Sequence, residues 1–291
     1  MIGQGTIRIS EVGPRDGLQN EPTAISTAAK IAFLNALSQA NFPEIEVTSF
    51  VRADRVAQLA DAAAVMAGMT RAAGTVYSAL VPNERGLDGA LAAGAQKISV
   101  FVSASESFSQ RNVNASIQEC LDKLRPVVSR ARAAKLPVRG YVSCIVKCPY
   151  DGLVSAQQVR DVCERLLELG VTELDLGDTI GAAVAQDMDR LLAVLASIAA
   201  PKEITLHLHN TSGRALEVAQ RAIELGVVSF DSSAGGLGGC PFAPGSPGNV
   251  ATEDMLELVA RLGLATGVNA AQVRVATARL RHDMDNARAQ R

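Results

Sequence analysis

Short apolar runs alternate with longer amphipathic runs along most of this 291-residue sequence. The short runs are typical of β-strands, and we predict strands at Ile7–Ser10, Ile45–Thr48, Val76–Val81, Lys97–Val102, Val138–Ser143, Glu173–Leu176, Ile204–His209 and Val227–Asp231. The longer runs have helical periodicity at Thr27–Gln39, Arg55–Ala67, Glu84–Ala93, Ile117–Ala134, Ser155–Leu169, Ala185–Ala199, Arg214–Leu225 and Glu253–Leu262. Strands that alternate with helices in this way predict βαβ units and a parallel sheet.

Eight such units favour a closed α/β fold, the (β/α)8 TIM barrel, with extra C-terminal helices. The alternative is an open doubly wound sheet, which usually has a glycine-rich fingerprint after its first strand. Here the first loop carries Arg15 and Asp16 instead. We therefore predict a single domain over residues 1–291, with the barrel at about 6–262 and a helical extension at 263–291 that includes Ala270–Arg279.

Composition excludes several classes of protein. The formal net charge of −2 argues against a nucleic-acid partner, which usually requires a basic face. No apolar run reaches the ~20 residues that span a bilayer, so we predict no membrane partner. The N-terminus lacks the pattern of a signal or transit peptide, and we therefore predict a cytoplasmic location. Five cysteines are an odd number for a disulfide framework.

A TIM barrel places its active residues at the carboxyl ends of the strands and in the loops that follow. The polar residues at these positions are Arg15, Asp16, Glu46, Ser49, Asp178, His207, His209, Cys240 and Asn249. Each has an ordinary alternative: Asp178 could cap a helix, Glu46 could form an interior salt bridge, and Asn249 could belong to a turn. Their convergence at one end of a barrel favours a functional site.

The pair His207 and His209 is the strongest indication of a metal site. Residues two apart in a strand share a face, so both imidazoles would project together. With one carboxylate and one amide oxygen they form a mixed N/O ligand set without thiolate. Such a set points to Mg²⁺ or Mn²⁺, with Zn²⁺ or Co²⁺ possible.

Several segments together resemble the 3-hydroxy-3-methylglutaryl-CoA lyases. They are Gly13-Pro-Arg-Asp-Gly-Leu-Gln-Asn-Glu21, Glu46-Val-Thr-Ser-Phe50, Gly140-Tyr-Val-Ser-Cys-Ile-Val-Lys-Cys-Pro-Tyr150, Leu176-Gly-Asp-Thr-Ile-Gly181, Gly236-Leu-Gly-Gly-Cys-Pro-Phe242 and Asn249-Val-Ala-Thr-Glu-Asp254. The resemblance runs from about Ile7 to Val268. The glycine-rich loop with Cys240 is the segment most specific to these lyases. The motifs Arg-Asp-Gly and His-x-His alone indicate only the wider superfamily of metal-dependent barrel aldolases, synthases and carboxyltransferases.

The resemblance implies a role for each matching residue. The metal ligands would be Asp16, His207, His209 and Asn249; the catalytic residues Arg15, Asp16, Glu46, Asp178, His207 and Cys240; and the substrate-binding residues Arg15, Gln19 and Ser49. The implied reaction is a retro-Claisen cleavage of an acyl-CoA substrate to acetyl-CoA and acetoacetate, as in leucine breakdown and ketone-body formation. Arg15 would hold the charge on the thioester oxygen, Cys240 is the candidate acid, and Asp16 and His207 are alternative bases.

Three departures leave alternatives open. The chain has Asn210-Thr-Ser-Gly-Arg214 where these lyases have Asp-Thr-Tyr-Gly-Gln, Asp175 where they have a small serine, and Pro22 where they have a lysine. Asp175 could change the acyl group, so another branched 3-hydroxyacyl-CoA is an alternative substrate. A condensing synthase or aldolase and a non-enzymatic metal-binding protein are further alternatives. We also predict a homodimer or higher homo-oligomer.

Overall fold

The computed structural model describes residues 5–239 and 248–289. Its strands, in chain order, are β1 (Arg8–Glu11), β2 (Glu44–Ser49), β3 (Val76–Leu80), β4 (Lys97–Ser103), β5 (Val138–Ser143), β6 (Lys147–Cys148), β7 (Gly152–Leu153), β8 (Glu173–Asp178), β9 (Ile204–Leu208) and β10 (Ser229–Ser232). Its α-helices are α1 (Thr27–Ser38), α2 (Ala62–Gly68), α3 (Glu84–Ala92), α4 (Glu106–Val113), α5 (Ile117–Ala133), α6 (Ala156–Leu169), α7 (Ala185–Leu195), α8 (Ala215–Glu224), α9 (Thr252–Arg261) and α10 (Ala270–Ala289).

Eight of the strands form a closed parallel barrel in the order β1-β10-β9-β8-β5-β4-β3-β2. The strand β1 pairs in parallel with both β10 and β2, which closes the sheet. The predicted TIM barrel is therefore confirmed, and each of the eight predicted strands corresponds to one barrel strand. The carboxyl ends of all eight strands consequently meet at one rim.

Local sequence signals set the helix boundaries. Ser116 and Ser155 each accept a backbone N–H at the first turn of α5 and α6, and in both helices the third residue completes a capping box. Gly170, at the end of α6, has a φ of +99°, a left-handed conformation that glycine adopts without steric cost. The glycine ends α6 three residues before the first residue of β8.

The structure differs from the prediction in four elements. The predicted helix Arg55–Ala67 is a 3₁₀ turn at Ala57–Leu59 followed by α2. The helix α4 and the hairpin β6–β7 were not predicted, because both are short insertions after a barrel strand. Among the described residues after the barrel there is one helix, α10, rather than several. No helix in the described part of the chain is long and apolar enough to cross a membrane.

The barrel interior contains a group of buried charges below the rim. Arg139 of β5 lies at its centre, with 2% of its side chain exposed. Its guanidinium nitrogens lie 3.0 Å from Glu44, 2.7 Å from Glu173, 3.3 Å from Asp175 and 2.9 Å from Asp231. TIM barrels usually fill this space with branched aliphatic side chains. Here a guanidinium and its carboxylates take that place and lie directly beneath the functional rim.

Candidate active site

The loop after β1 is a π-helical turn at Gly13–Gly17, which contains Arg15 and Asp16. The backbone N–H groups of Arg15, Asp16 and Gly17 all point to the carbonyl of Val12, at 3.1, 2.7 and 3.2 Å. A Cβ on Gly17 would lie 2.9 Å from Leu237 Cβ, so glycine is needed where this turn meets the loop after β10. The tight turn fixes the Arg15 and Asp16 side chains at the rim.

Asp16, His207 and His209 converge at this rim. The Asp16 Oδ2 atom lies 3.7 Å from His207 Nε2, and the two Nε2 atoms of the histidines lie 3.3 Å apart. One candidate ligand atom from each of the three residues falls within 4.8 Å of the others. The predicted shared face of the two histidines is therefore present, because His207 lies in β9 and His209 follows it by two residues.

Asn249 lies beside the same carboxylate. Its Nδ2 atom donates to Asp16 Oδ2 at 2.9 Å and to the Leu237 carbonyl at 3.1 Å. An isolated antiparallel bridge pairs Asn249 with His209. The structure thus brings together all four residues that the sequence predicted as metal ligands.

The opposite side of the His207 ring contacts Asp231, a residue that the sequence analysis did not select. His207 Nδ1 lies 3.2 Å from Asp231 Oδ2. Burial raises the pKa of Asp231, but Arg139 and His207 outweigh burial and lower this pKa well below its usual range. Because an ionised Asp231 can only accept, His207 donates from Nδ1, and its Nε2 atom faces Asp16 and His209.

The charge states at the rim suit a cation. Burial raises the pKa of Asp16, but Arg15 and then the two imidazoles lower it well below its ordinary value. Burial lowers the pKa of His209 to about 4, with a contribution from His207. Burial lowers the pKa of His207, but Asp231 and Asp16 outweigh burial and raise it, so a cation would take the place of the proton on this ring. At neutral pH the group therefore presents the Asp16 carboxylate and the neutral imidazole of His209, beside the Nε2 atom of His207. This mixed N/O donor set fits a divalent cation.

A second group of possible ligands, Asp175, His207 and Asp231, lies deeper in the barrel. Arg139 Nη1 already lies 3.3 Å from Asp175 and 2.9 Å from Asp231, so the cation between these carboxylates is a guanidinium. Asp175 is fully buried and does not line the cavity described below. Asp175 thus lies near the site, as expected, but beneath His207 rather than in the cavity wall.

Arg15 forms a buried ion pair with Glu46. The Arg15 Nε donates to Glu46 Oε2, and its Nη1 donates to Asp16 Oδ1. Glu46 also accepts from the Ser99 hydroxyl and, at 3.3 Å, from the Tyr141 hydroxyl. Burial lowers the pKa of Arg15, but Glu46 and Asp16 outweigh burial and raise it well above its ordinary value. Arg15 is thus a permanent cation held in one orientation.

A cavity of about 650 Å³ opens above these residues. Among the predicted site residues, its walls include Arg15, Asp16, Gln19, Ser49, His207 and His209. The Ser49 hydroxyl is buried and has no hydrogen-bond partner among the described residues. A ligand in the cavity would therefore meet a cation, the candidate metal ligands and an unsatisfied hydroxyl.

Two predicted catalytic residues are not part of this cluster. The Asp178 carboxylate accepts the backbone N–H groups of Ala182 at 3.0 Å and Ala183 at 2.9 Å, so it caps the loop after β8. This is the ordinary alternative that the sequence had left open. Cys240 lies outside the described residues.

The sequence analysis missed Asp231 and Tyr141, although a signal for Asp231 was present. Asp231 ends an apolar run, where an unpaired carboxylate is unfavourable. The same argument had selected Glu46. Tyr141 donates to Asp231 Oδ2 at 3.0 Å and contacts Glu46, but nothing in its sequence context distinguishes it from a core residue.

Comparison with known proteins gives consistent matches over most of the chain. A family model described as HMGL-like matches residues 6–279. A Danio rerio protein named 3-hydroxy-3-methylglutaryl-CoA lyase, cytoplasmic, is 47% identical over 267 residues, which are 92% of this chain and 80% of that protein. The Homo sapiens protein of the same name is 48% identical over 263 residues, which are 90% of this chain and 71% of that protein. A Gallus gallus relative, named as mitochondrial, is 44% identical and covers 90% of this chain and 88% of that protein.

Solved structures agree with these relatives. The HMG-CoA lyase from Brucella melitensis superposes with a TM-score of 0.93 at 46% identity, covering 95% of this chain and 98% of that chain. An Acinetobacter baumannii HMG-CoA lyase, solved with coenzyme A and 3-methylmalate, gives a TM-score of 0.91 at 34% identity, covering 96% and 92% of the two chains. The match over residues 6–279, with relatives 47% and 48% identical, shows that the chain belongs to the HMGL-like family.

Proposed function

We propose that this chain cleaves 3-hydroxy-3-methylglutaryl-CoA into acetyl-CoA and acetoacetate in a reaction that needs a divalent cation. The observation that carries the proposal is the convergence of Asp16, His207 and His209 beside a buried, charged Arg15 in one cavity. The close relatives that carry this activity in their names support the choice of substrate.

The cation, Mg²⁺ or Mn²⁺ in our proposal, would be held by Asp16, His207, His209 and Asn249. When bound, it supplies Lewis-acid chemistry that lowers the pKa of the substrate hydroxyl. Zn²⁺ and Co²⁺ are compatible with the same nitrogen and oxygen donors.

Arg15 stabilises the charge that develops on the thioester. When the C2–C3 bond breaks, its electron pair moves into the thioester carbonyl and forms an enolate oxygen, while C3 becomes the ketone of acetoacetate. The Arg15 guanidinium stays protonated and is preorganised by Glu46 in a buried site. Donors fixed in this way contribute most strongly where water is excluded.

Two proton transfers complete the reaction. A base removes the proton of the C3 hydroxyl, and both Asp16 and His207 lie at the rim where such a base is needed. An acid then protonates C2 of the enolate to give acetyl-CoA, and we assign this step to Cys240. We assign Ser49 and Gln19 to substrate binding, since both line the cavity. Asp178 is omitted from the catalytic set because both of its oxygens bind backbone N–H groups.

Two departures that motivated an alternative acyl-CoA substrate, Asp175 and Asn210, lie outside the cavity wall. The Asn210 side chain accepts the N–H of Ala215 at the start of α8. The cytoplasmic location and the homo-oligomer remain predictions from the sequence, since the relatives include both cytoplasmic and mitochondrial lyases.

The proposal is tested by incubating purified protein with 3-hydroxy-3-methylglutaryl-CoA and Mg²⁺ or Mn²⁺ and measuring acetoacetate. We expect turnover that disappears with a chelator and returns with either metal. Absence of acetoacetate at every metal concentration tested would refute the proposed activity. Replacing Cys240 by serine should leave metal binding intact and reduce the turnover.

A further inference from the structure

The C-terminal helix α10 is hydrogen-bonded to the loop after β10 at Gly235. The backbone N–H of Gly235 donates to Glu253 Oε2 at 2.8 Å, and its carbonyl accepts from Arg281 Nη2 at 2.9 Å. Glu253 belongs to α9 and Arg281 to α10. Side chains from two outer helices therefore bind both the backbone N–H and the backbone carbonyl of Gly235.

Thr277 supports the same contact from α10. Its hydroxyl lies 2.9 Å from Glu253 Oε1 and 2.9 Å from the Val273 carbonyl. Gly235 has a φ of +66°, and a Cβ on it would lie 2.4 Å from Thr277 Cγ2. The loop backbone is thus packed directly against the helix, with no space for a side chain between them.

The loop held in this way reaches the candidate metal ligands two residues later. The Leu237 carbonyl accepts from Asn249 Nδ2 at 3.1 Å, and the Gly238 carbonyl lies 3.3 Å from the Asn249 backbone nitrogen. The same Nδ2 atom donates to Asp16 Oδ2 at 2.9 Å. The position of Gly235 therefore helps to determine where the Asn249 amide meets Asp16.

We propose that Arg281 and Thr277 are positioning residues for the metal site, acting through Gly235 and Glu253 on Asn249. Neither side chain lines the catalytic cavity, so neither contacts substrate there. This inference rests on the proposed function only for its activity readout; the affinity for a metal ion tests it separately.

The experiment compares Arg281→Met, Thr277→Val and Thr277→Ser by calorimetric titration with Mn²⁺ alone. The first two variants each remove one hydrogen bond, worth ~1 kcal/mol, so the Kd for Mn²⁺ should rise about fivefold. Thr277→Ser keeps the hydroxyl and should bind Mn²⁺ like the wild type. Arg279→Met is the matched control, since Arg279 lies on the same helix and is exposed to solvent.

The variants that bind Mn²⁺ more weakly should also turn over 3-hydroxy-3-methylglutaryl-CoA more slowly when Mn²⁺ is limiting. Saturating Mn²⁺ should reduce this loss. Thermal unfolding checks that each variant is folded, and Thr277→Val provides a second variant if Arg281→Met is unstable. Unchanged Mn²⁺ affinity in both variants would overturn the inference, as would equal losses in Thr277→Ser and Thr277→Val. A wild type that binds Mn²⁺ without cleaving the thioester would instead overturn the proposed function alone.

Discussion

Asp231 accepts a hydrogen bond from His207 Nδ1 at 3.2 Å and is itself held by Arg139 at 2.9 Å and by Tyr141 at 3.0 Å. Carboxylates placed in this way behind a ligating histidine fix the tautomer and raise the basicity of the ring. Replacing Asp231 by asparagine removes this charge. We expect the Mn²⁺ affinity to fall by about 10–100-fold, as measured by titration calorimetry.

Asp178→Asn is the control for Asp231→Asn. Asp178 ends β8, which pairs with the strand β9 that carries His207, but its carboxylate binds loop backbone rather than a candidate ligand. Its replacement should lower the thermal stability and leave the Mn²⁺ affinity unchanged. Equal Mn²⁺ affinity in Asp231→Asn and the wild type would contradict the role given to Asp231.

Replacing Arg15 by lysine should reduce kcat strongly. Lysine keeps the charge, but it lacks the planar fork that binds Glu46 and Asp16 together. Loss of a preorganised donor of this kind costs about 10²–10³ in kcat. The control is Arg55→Lys, because Arg55 lines the same cavity. Steady-state kinetics that gave the same kcat for both variants would argue against Arg15 as the enolate-stabilising residue.

The three histidines of the chain provide an internal comparison for the metal site. His209→Ala removes a candidate ligand, and we expect a loss of Mn²⁺ affinity of more than about tenfold. His282→Ala should change nothing, because His282 lies exposed on α10. In addition, Mn²⁺ should raise the melting temperature of the wild type, since a ligand that binds only the folded state stabilises it. A similar shift in His209→Ala would place the metal elsewhere.

Glu11 should make the stability depend on pH. It is buried, where it accepts from the backbone N–H groups of Gly13 at 2.7 Å and Ala234 at 2.9 Å and from the Thr252 hydroxyl at 2.7 Å. Burial raises its pKa from 4.5 to about 8. Between these values the folded state binds more protons than the unfolded state, so the free energy of unfolding falls as pH rises, by at most about 1.4 kcal/mol per pH unit.

Glu11→Gln tests this expectation, because glutamine resembles the protonated acid and can donate to Thr252. Urea unfolding at pH 5.5, 7 and 8.5 should show the stability of the variant rising relative to the wild type as pH increases. A constant difference between the two proteins across this range would show that Glu11 does not titrate there.

Most of the barrel followed from the sequence, because strand and helix periodicities alternate without interruption. All eight barrel strands were predicted, with ends that differ by at most two residues. The helix α4 and the hairpin β6–β7 were missed because each is too short to establish a period. The π-helical turn at Gly13–Gly17 was also beyond sequence reasoning, since it depends on packing against the loop after β10.

The candidate site was predicted only for residues whose chemistry is evident from their own segment. Asp16, His207 and His209 stood out because metal-ligating side chains followed apolar runs. Asp231 and Arg139 did not, because their importance comes from one another: each is a buried charge that is tolerated only beside a partner far away in the sequence. Pairing across the barrel is a tertiary property that no single segment reveals.

The charged centre around Arg139 also restricts how this barrel can evolve. Aliphatic layers accept the exchange of one side chain for another of similar volume. A guanidinium surrounded by Glu44, Glu173, Asp175 and Asp231 offers less freedom, because the loss of Arg139 would remove the guanidinium that pairs with the buried carboxylates of Asp175 and Asp231. We therefore expect replacement of Arg139 to require a second change among these carboxylates, which links the evolution of the barrel interior to that of the site above it.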